Sequence, residues 1–202
     1  MGTRNLTMVI YQEKTRVAQY GQWDGRPSGQ GSTILDFLAQ NKLEAFKEKL
    51  LKTKFIDAAN QKEIDSFLTS IGSKNGWLNM EQSALFAAKY PFISRDNGAG
   101  ILQMILDSSE EEIWLNDSTE FAADSLFCEY AYVLDLDKNV LEVYRGFTTT
   151  PLSKKQRFYF LTEIQKREGD KYFPIKLAKS YSLDNLPTVE QMVSDIKKRR
   201  LK

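Results

Sequence analysis

Two segments near the ends of the chain carry the pattern of a β-hairpin, and they constrain the fold more than any other feature. The clearer one spans 128–147, where apolar and polar residues alternate on both sides of the turn Asp137–Asn139. The other runs from Leu6 to Trp23, with a polar segment between two runs rich in β-branched and aromatic residues. We predict that both hairpins belong to one sheet, which would bury the apolar faces of both.

The middle of the chain, from about residue 32 to 106, repeats its apolar residues at the helical period. Between Ile64 and Ile71 they recur at i, i+3, i+4 and i+7, and Asn60 with Glu63 predicts a capping box before them. These apolar faces are predicted to pack on the sheet.

Three further elements are predicted after the second hairpin. A helix covers 153–166 and ends near Gly169, a strand covers 172–180, and a last helix begins near Thr188. Pro174 confines that strand to a sheet edge, because proline has no N–H for a central ladder.

The composition is that of a folded α+β protein. The 202 residues are 42% hydrophobic and 27% charged, with no internal repeat or low-complexity linker. We therefore predict a single α+β domain over residues 1–202, with a mainly antiparallel sheet covered by helices. A net charge of +1 gives no reason to expect nucleic acid, and no apolar run is long enough to span a membrane. We expect a cytoplasmic protein.

The chain has no histidine and one cysteine, Cys128. This excludes Ser-His-Asp and Cys-His hydrolases, imidazole metal sites, disulfides within the chain and CxxC redox chemistry. Cys128 is predicted to be a buried, inert thiol. Asp135 and Asp137 are better explained by a hairpin turn than by a metal pair, so we predict no metal and no cofactor.

The stretch 19–31 is the strongest candidate for a binding site. Tyr20 and Trp23 offer flat stacking surfaces, Arg26 offers a bidentate anion fork, and the glycines let backbone N–H groups approach a ligand at a helix N-terminus. This combination suits a nucleotide-like or phosphate-bearing ligand, although the stretch is neither a Walker A nor a GxGxxG sequence. A purely structural loop is an equally good interpretation.

A second polar loop, 94–100, also precedes an apolar helix and could face the first. Alternatively, Asp96 only caps that helix and Arg95 only reaches a surface carboxylate. The predicted ligand-binding residues are Arg4, Gln19, Tyr20, Gln22, Trp23, Asp24, Gly25, Arg26, Gly29, Gln30, Ser94, Arg95 and Asp96. The basic tail, Lys197–Lys202, marks either an anionic partner or a favourable helix C-terminus.

Several segments together resemble a family of bacteriophage and bacterial proteins. They are MGTRNLT at 1–7, AQYGQWDG and PSGQG within 18–31, SRDNGA at 94–99, CEYAYVLDLD at 128–137 and LEVY at 141–144. The resemblance implies a phage or bacterial origin and no particular activity, and for a phage protein the expected location is the host cytoplasm. In a phage setting, a ligand-binding protein would serve to sequester a host nucleotide signal.

The order of elements also resembles the Ntn-hydrolase arrangement, especially the choloylglycine-hydrolase group. That resemblance implies an orienting role for Asp24, but position 2 is Gly2, where the family has its nucleophile. Thr3 would serve only after removal of two residues. The alternative functions are therefore an Ntn-type amidohydrolase with Thr3 as nucleophile, and a protein-protein interaction module; a homo-oligomer is compatible with each.

Overall fold

The computed structural model describes residues 2–74, 77–164 and 171–198. The strands are β1 (Asn5–Tyr11), β2 (Lys14–Gly21), β3 (Thr53–Phe55), β4 (Ile113–Leu115), β5 (Tyr130–Asp135), β6 (Val140–Arg145) and β7 (Lys176–Ser182). The α-helices are α1 (Ser32–Leu38), α2 (Leu43–Leu50), α3 (Ala58–Ser70), α4 (Met80–Lys89), α5 (Ile101–Asp107) and α6 (Val189–Lys198). Short helical turns occupy Pro27–Gly31, Pro91–Ile93, Gly98–Gly100, Thr119–Ala123 and Arg157–Glu163.

Five strands form an open sheet in the order β2-β1-β5-β6-β7. Each predicted hairpin is antiparallel, and β1 of the first pairs in parallel with β5 of the second. Strand β7 lies at the edge of the sheet, as Pro174 predicts, but it spans Lys176–Ser182 rather than the predicted 172–180, so Pro174 precedes the strand. The predicted α+β class, with N-terminal and C-terminal hairpins in a mainly antiparallel sheet, is confirmed.

The two faces of the sheet are buried differently. Val9, Val17 and Leu134 pack beneath α1, α2, α5 and α6. Leu6 and Met8, on the opposite face because successive strand residues alternate, pack against the turns Thr119–Ala123 and Arg157–Glu163. Helices α1, α2, α5 and α6 therefore cover one face, and short helical turns and loops cover the other.

The turns of the two hairpins are joined to each other. Gln12 and Glu13 have φ of 55° and 57°, in the left-handed region that a tight hairpin turn requires. Their backbone N–H groups each donate to the Asp137 carboxylate, at 2.8 Å. Asp137 lies in the predicted turn of the second hairpin, so its carboxylate has a structural role.

Two helix predictions need correction. The cap of α3 is Asp57, whose carboxylate accepts the N–H groups of Ala59 and Asn60, so the capping box predicted at Asn60 and Glu63 was wrong. Asp57 begins the helix three residues earlier because its short carboxylate is a preferred N-cap. In place of the α-helix predicted at 153–166, the described chain has a 3₁₀ turn at Arg157–Glu163. Residues 165–170, which include the predicted terminator Gly169, lie outside the described ranges.

Candidate functional site

The two glycine-containing loops singled out from the sequence meet in the structure. Both are exposed in part, and the loop after β2 lies against the turn before α5. Three hydrogen bonds join them: Trp23 Nε1 to the Asp96 carboxylate at 3.0 Å, Gln22 N–H to the Arg95 carbonyl at 3.2 Å, and Gln19 Nε2 to the Ser94 carbonyl at 3.0 Å. Asp96 thus holds the indole of Trp23 and caps neither the turn Gly98–Gly100 nor α5.

Gln30 ties the same junction together from within. Its Oε1 accepts the N–H of Ala99 at 2.5 Å, and its Nε2 donates to the Trp23 carbonyl at 3.2 Å. Gly98 has φ +48°, and a Cβ there would lie 2.5 Å from Gln30 Oε1, so only glycine fits this approach. Gln30, which was predicted to contact a ligand, therefore uses its side-chain amide to join two segments of the protein.

Three backbone N–H groups of the turn Pro27–Gly31, those of Gly29, Gln30 and Gly31, are already engaged inside the loop. Gly29 and Gly31 donate to the Arg26 carbonyl at 2.9 and 3.3 Å, and Gln30 donates to the Asp24 carbonyl at 2.9 Å. The Asp24 carboxylate also lies against Gly29, where a Cβ would be 2.5 Å from Asp24 Oδ2. These N–H groups already have partners, so an anion at this loop would have to be bound by side chains. The negative charge of Asp24 would oppose its approach.

The residues of the amidohydrolase alternative lie in neighbouring segments. Gly25 N–H donates to the Thr3 carbonyl at 2.9 Å, which holds the N-terminal segment beside the loop. The Asp24 side chain lies against Gly29, and in the described chain no hydrogen bond joins it to the Thr3 hydroxyl. Thr3 as a nucleophile oriented by Asp24 stays a prediction.

Arg4, Tyr20 and Arg95 form a partly exposed arginine and aromatic cluster next to this junction. The Arg4 guanidinium lies 4.6 Å from the ring centre of Phe127, and Tyr20 donates to Gln22 Oε1 at 2.5 Å. Burial raises the pKa of Tyr20, and the positive charges of Arg4 and Arg95 partly oppose that rise. These predicted site residues are therefore brought together on one surface.

Arg26 belongs to a different surface, a groove of about 300 Å³ on the other side of the Pro27–Gly31 turn. We call it the Arg26 groove. Ten residues line it: Arg26, Pro27, Ser28, Glu129, Tyr130, Arg145, Phe147, Val193, Ile196 and Lys197. Sequence reasoning singled out Arg26 and the tail beginning at Lys197, but it missed the contribution of Arg145, Tyr130 and Phe147.

Three elements build the groove. Tyr130 and Arg145 are directly paired across β5 and β6, and the Arg145 guanidinium lies 5.6 Å from the Tyr130 ring centre. Helix α6 supplies Lys197 near its end, and its buried Met192 packs against the loop, 3.0 Å from where a Cβ on Gly31 would lie. The rest of the basic tail, 199–202, lies outside the described residues.

The charges in the Arg26 groove are unbalanced. Arg26, Arg145 and Lys197 contribute three positive charges, and Glu129 is the only carboxylate among the described residues that line it. In the described chain none of the three cations lies within ion-pair distance of a carboxylate. The groove therefore presents net positive charge to whatever enters it.

The remaining chemically interesting side chains have structural surroundings. Cys128 is buried as predicted, and burial raises the pKa of its thiol, which keeps it protonated. The buried Asp135 carboxylate pairs with Arg157 at 2.5 Å and with Lys138 at 3.4 Å. The described ranges contain no group of three or more Cys, Asp or Glu side chains that could hold a metal ion.

Comparison of the chain with protein-family models, with curated proteins and with solved structures found no match. The family resemblances stated from the sequence therefore stay predictions. None of the described helices is both long and apolar enough to cross a membrane.

Proposed function

We propose that the protein binds a small anionic molecule in the Arg26 groove. One observation carries the proposal: Arg26, Arg145 and Lys197 line one groove with a single carboxylate, and in the described chain none of them is ion-paired. Arg145 donates to the Ile196 carbonyl at 3.5 Å and lies over the Tyr130 ring, but neither contact neutralises its charge. Cations gathered without a carboxylate partner repel one another, and an anion between them removes that repulsion.

The shape and walls of the groove favour a ligand with both a phosphate and a planar group. Its volume of about 300 Å³ is at the small end of the range of ligand pockets. One arginine guanidinium can donate two parallel hydrogen bonds to the oxygens of a phosphate. Tyr130 and the half-exposed Phe147 provide aromatic surface for a base, and Glu129 can accept hydrogen bonds from its amino group.

A nucleotide is therefore the class of anion we favour, and sequestration of a host nucleotide signal is the use that fits it. The proposed site contains Arg26, as expected from the sequence. The wall opposite Arg26 is then formed by β6 and α6 instead of by the loop Ser94–Asp96. Arg95 lies at the loop junction and is absent from the described residues that line the groove.

The test is isothermal titration calorimetry of the full chain with adenine and guanine nucleotides and with inorganic phosphate. We expect binding of at least one nucleotide, weakened about tenfold or more by Arg26→Ala and by Arg145→Ala, because each removes a charge-assisted hydrogen bond. Lys62→Ala, which removes an exposed charge from α3, is the matched control and should bind like the wild type.

Two results would count against the proposal. One is an affinity unchanged in both arginine variants. The other is a loss of binding in Arg95→Ala with none in Arg145→Ala, which would return the site to the junction of the two loops. If inorganic phosphate bound as tightly as every nucleotide, Tyr130 and Phe147 would make no contribution to binding.

A further inference from the structure

A cleft of about 370 Å³ is lined by helix α3, the turn Pro91–Ile93 and strand β4. Its walls are mainly apolar and aromatic, and they include the buried Ile64 and the partly buried Tyr90, Phe92 and Trp114. A cleft of this size can hold a small molecule. None of the residues that the sequence predicted to bind a ligand is among the described residues that line it.

The charged side chains of this cleft are mainly acidic. Glu63, Glu110 and Glu112 line it together with one cation, Lys89. Lys89 Nζ lies 3.8 Å from the Glu63 carboxylate, and Glu112 is paired with Lys54 of β3. In the described chain no cation lies within ion-pair distance of Glu110. The cleft therefore attracts a positive charge, and Glu110 is available to pair with it.

Two lysines show how the walls of this cleft hold a cation. Lys54 Nζ lies over the ring of Trp114, 5.4 Å from its centre, and Lys89 Nζ lies over the ring of Tyr90, 5.2 Å from its centre. Each of these ammonium groups also pairs with a glutamate of the cleft. The face of an aromatic ring attracts a cation because it carries partial negative charge. The aromatic and acidic residues of the cleft thus already bind ammonium groups of the protein itself.

We propose that the cleft binds a small organic cation, with an alkylated ammonium group against the aromatic walls and Glu110 as its counter-ion. A quaternary ammonium group has no N–H to donate, so aromatic faces and the aliphatic Ile56 and Ile64 can surround it without leaving a donor unpaired. Mg²⁺ and Ca²⁺ suit these walls less well, because each takes about six or more oxygen ligands. The charge of this site is opposite in sign to that of the Arg26 groove.

Two probes of the same shape and different charge test the proposal. Choline carries a trimethylammonium group, and its neutral analogue has a carbon atom in place of the charged nitrogen. We expect NMR titration of the full chain to show choline binding at least about threefold tighter than the analogue, since only choline is attracted by carboxylates and ring faces. Equal affinities for the two probes, or no binding of choline, would overturn the proposal.

Two adjacent glutamates provide a matched pair of variants for the counter-ion. Glu110→Gln removes the carboxylate that lines the cleft and should weaken choline binding about threefold. Glu111 is also exposed but is not among the described residues that line the cleft, so Glu111→Gln should bind like the wild type. Neither substitution changes a buried side chain, so both variants should fold. Equal affinities of the two variants would show that Glu110 is not the counter-ion.

Two tryptophans provide a second pair, for the aromatic wall. Trp114→Leu keeps an apolar side chain without the ring, and it should weaken choline binding about threefold while the neutral analogue binds as before. Trp77 is 82% exposed and is absent from the described residues of the cleft, so Trp77→Leu is the control. Circular dichroism shows whether each variant is folded. A folded Trp114→Leu variant with wild-type affinity for choline would contradict the proposed role of the ring.

Discussion

The indole Nε1 of Trp23 donates to the Asp96 carboxylate at 3.0 Å, across 73 residues of sequence. This bond holds the loop after β2 against the turn before α5. Trp23 is nevertheless 53% exposed, so the bond forms at the surface rather than in the core. Arg26 takes no part in this contact and lines the groove with β6 and α6.

Replacing Asp96 should loosen the loop without unfolding the protein. We expect Asp96→Ala to lower the free energy of unfolding by about 0.5–1.5 kcal/mol, the net contribution of a typical hydrogen bond. Urea denaturation measures it. Asp36→Ala removes an exposed carboxylate from α1 and serves as the control. An equal effect of the two substitutions would show that the bond to Trp23 contributes nothing.

Gly98 and Gly100 offer a matched pair for testing the loop junction. Gly98→Ala should destabilise the protein by about 1–3 kcal/mol, since it forces a side chain into the left-handed region and against Gln30. Gly100 has φ −57°, and a Cβ added there would have no neighbouring atom within 4 Å, so Gly100→Ala should be neutral or slightly stabilising. Thermal denaturation of both variants compares them. Equal melting temperatures would contradict the described contact of Gly98 with Gln30.

The ion pair of Asp135 and Arg157 should make stability depend on pH. Burial alone would raise the pKa of Asp135, but the hydrogen bond and charge of Arg157, with the Lys138 N–H, lower it below its ordinary value. The unfolded chain thus binds a proton more readily than the folded one. This group therefore stabilises the fold above about pH 4, and that contribution is lost as the pH falls through the lowered pKa.

Removing Arg157 should reverse the sign of that dependence. Arg157 also donates to Glu142 at 2.8 Å, so Arg157→Ala leaves two carboxylates without their main partner. We expect a loss of about 3–5 kcal/mol at neutral pH, and a stability contribution from Asp135 that falls as the pH rises above about 4. Urea denaturation at several pH values measures both. Exposed Lys155, two residues away, provides the control Lys155→Ala, which should keep the wild-type profile.

Binding in the Arg26 groove should weaken as salt is added. The cations there are accessible to solvent, so raising NaCl from about 0.05 to about 0.5 M screens their attraction for a phosphate. Calorimetric titration at each salt concentration gives the slope, and Arg145→Ala should reduce it. An affinity that salt does not change would mean that the ligand is held by the aromatic walls rather than by charge.

The local patterns of the sequence predicted the elements of the fold well. Both hairpins are where their residues indicated, because pairing across a short turn depends on neighbouring residues. The edge strand is also present, although it begins four residues later than predicted. The parallel pairing of β1 with β5 could not be predicted in this way, since nothing local specifies which hairpin edges meet.

The candidate site also depends on contacts that the local sequence does not specify. Arg26 stands out in a glycine-rich stretch, whereas Arg145 looks like any polar residue of a hairpin strand. Its place in the groove comes from the docking of α6 against the Pro27–Gly31 turn, a contact between residues far apart in sequence. The meeting of the two glycine loops was open from the sequence, because it depends on hydrogen bonds such as that from Gln19 to Ser94.

The parallel seam between β1 and β5 divides the chain into two halves. Each hairpin closes locally, whereas the seam and the Asp137 contact join residues about 125 positions apart, so closing them costs more chain entropy. A cut between α3 and α4 severs no strand and leaves one complete hairpin in each fragment. Two such fragments would have to find each other through β1 and β5, which is the property that a split reporter protein needs.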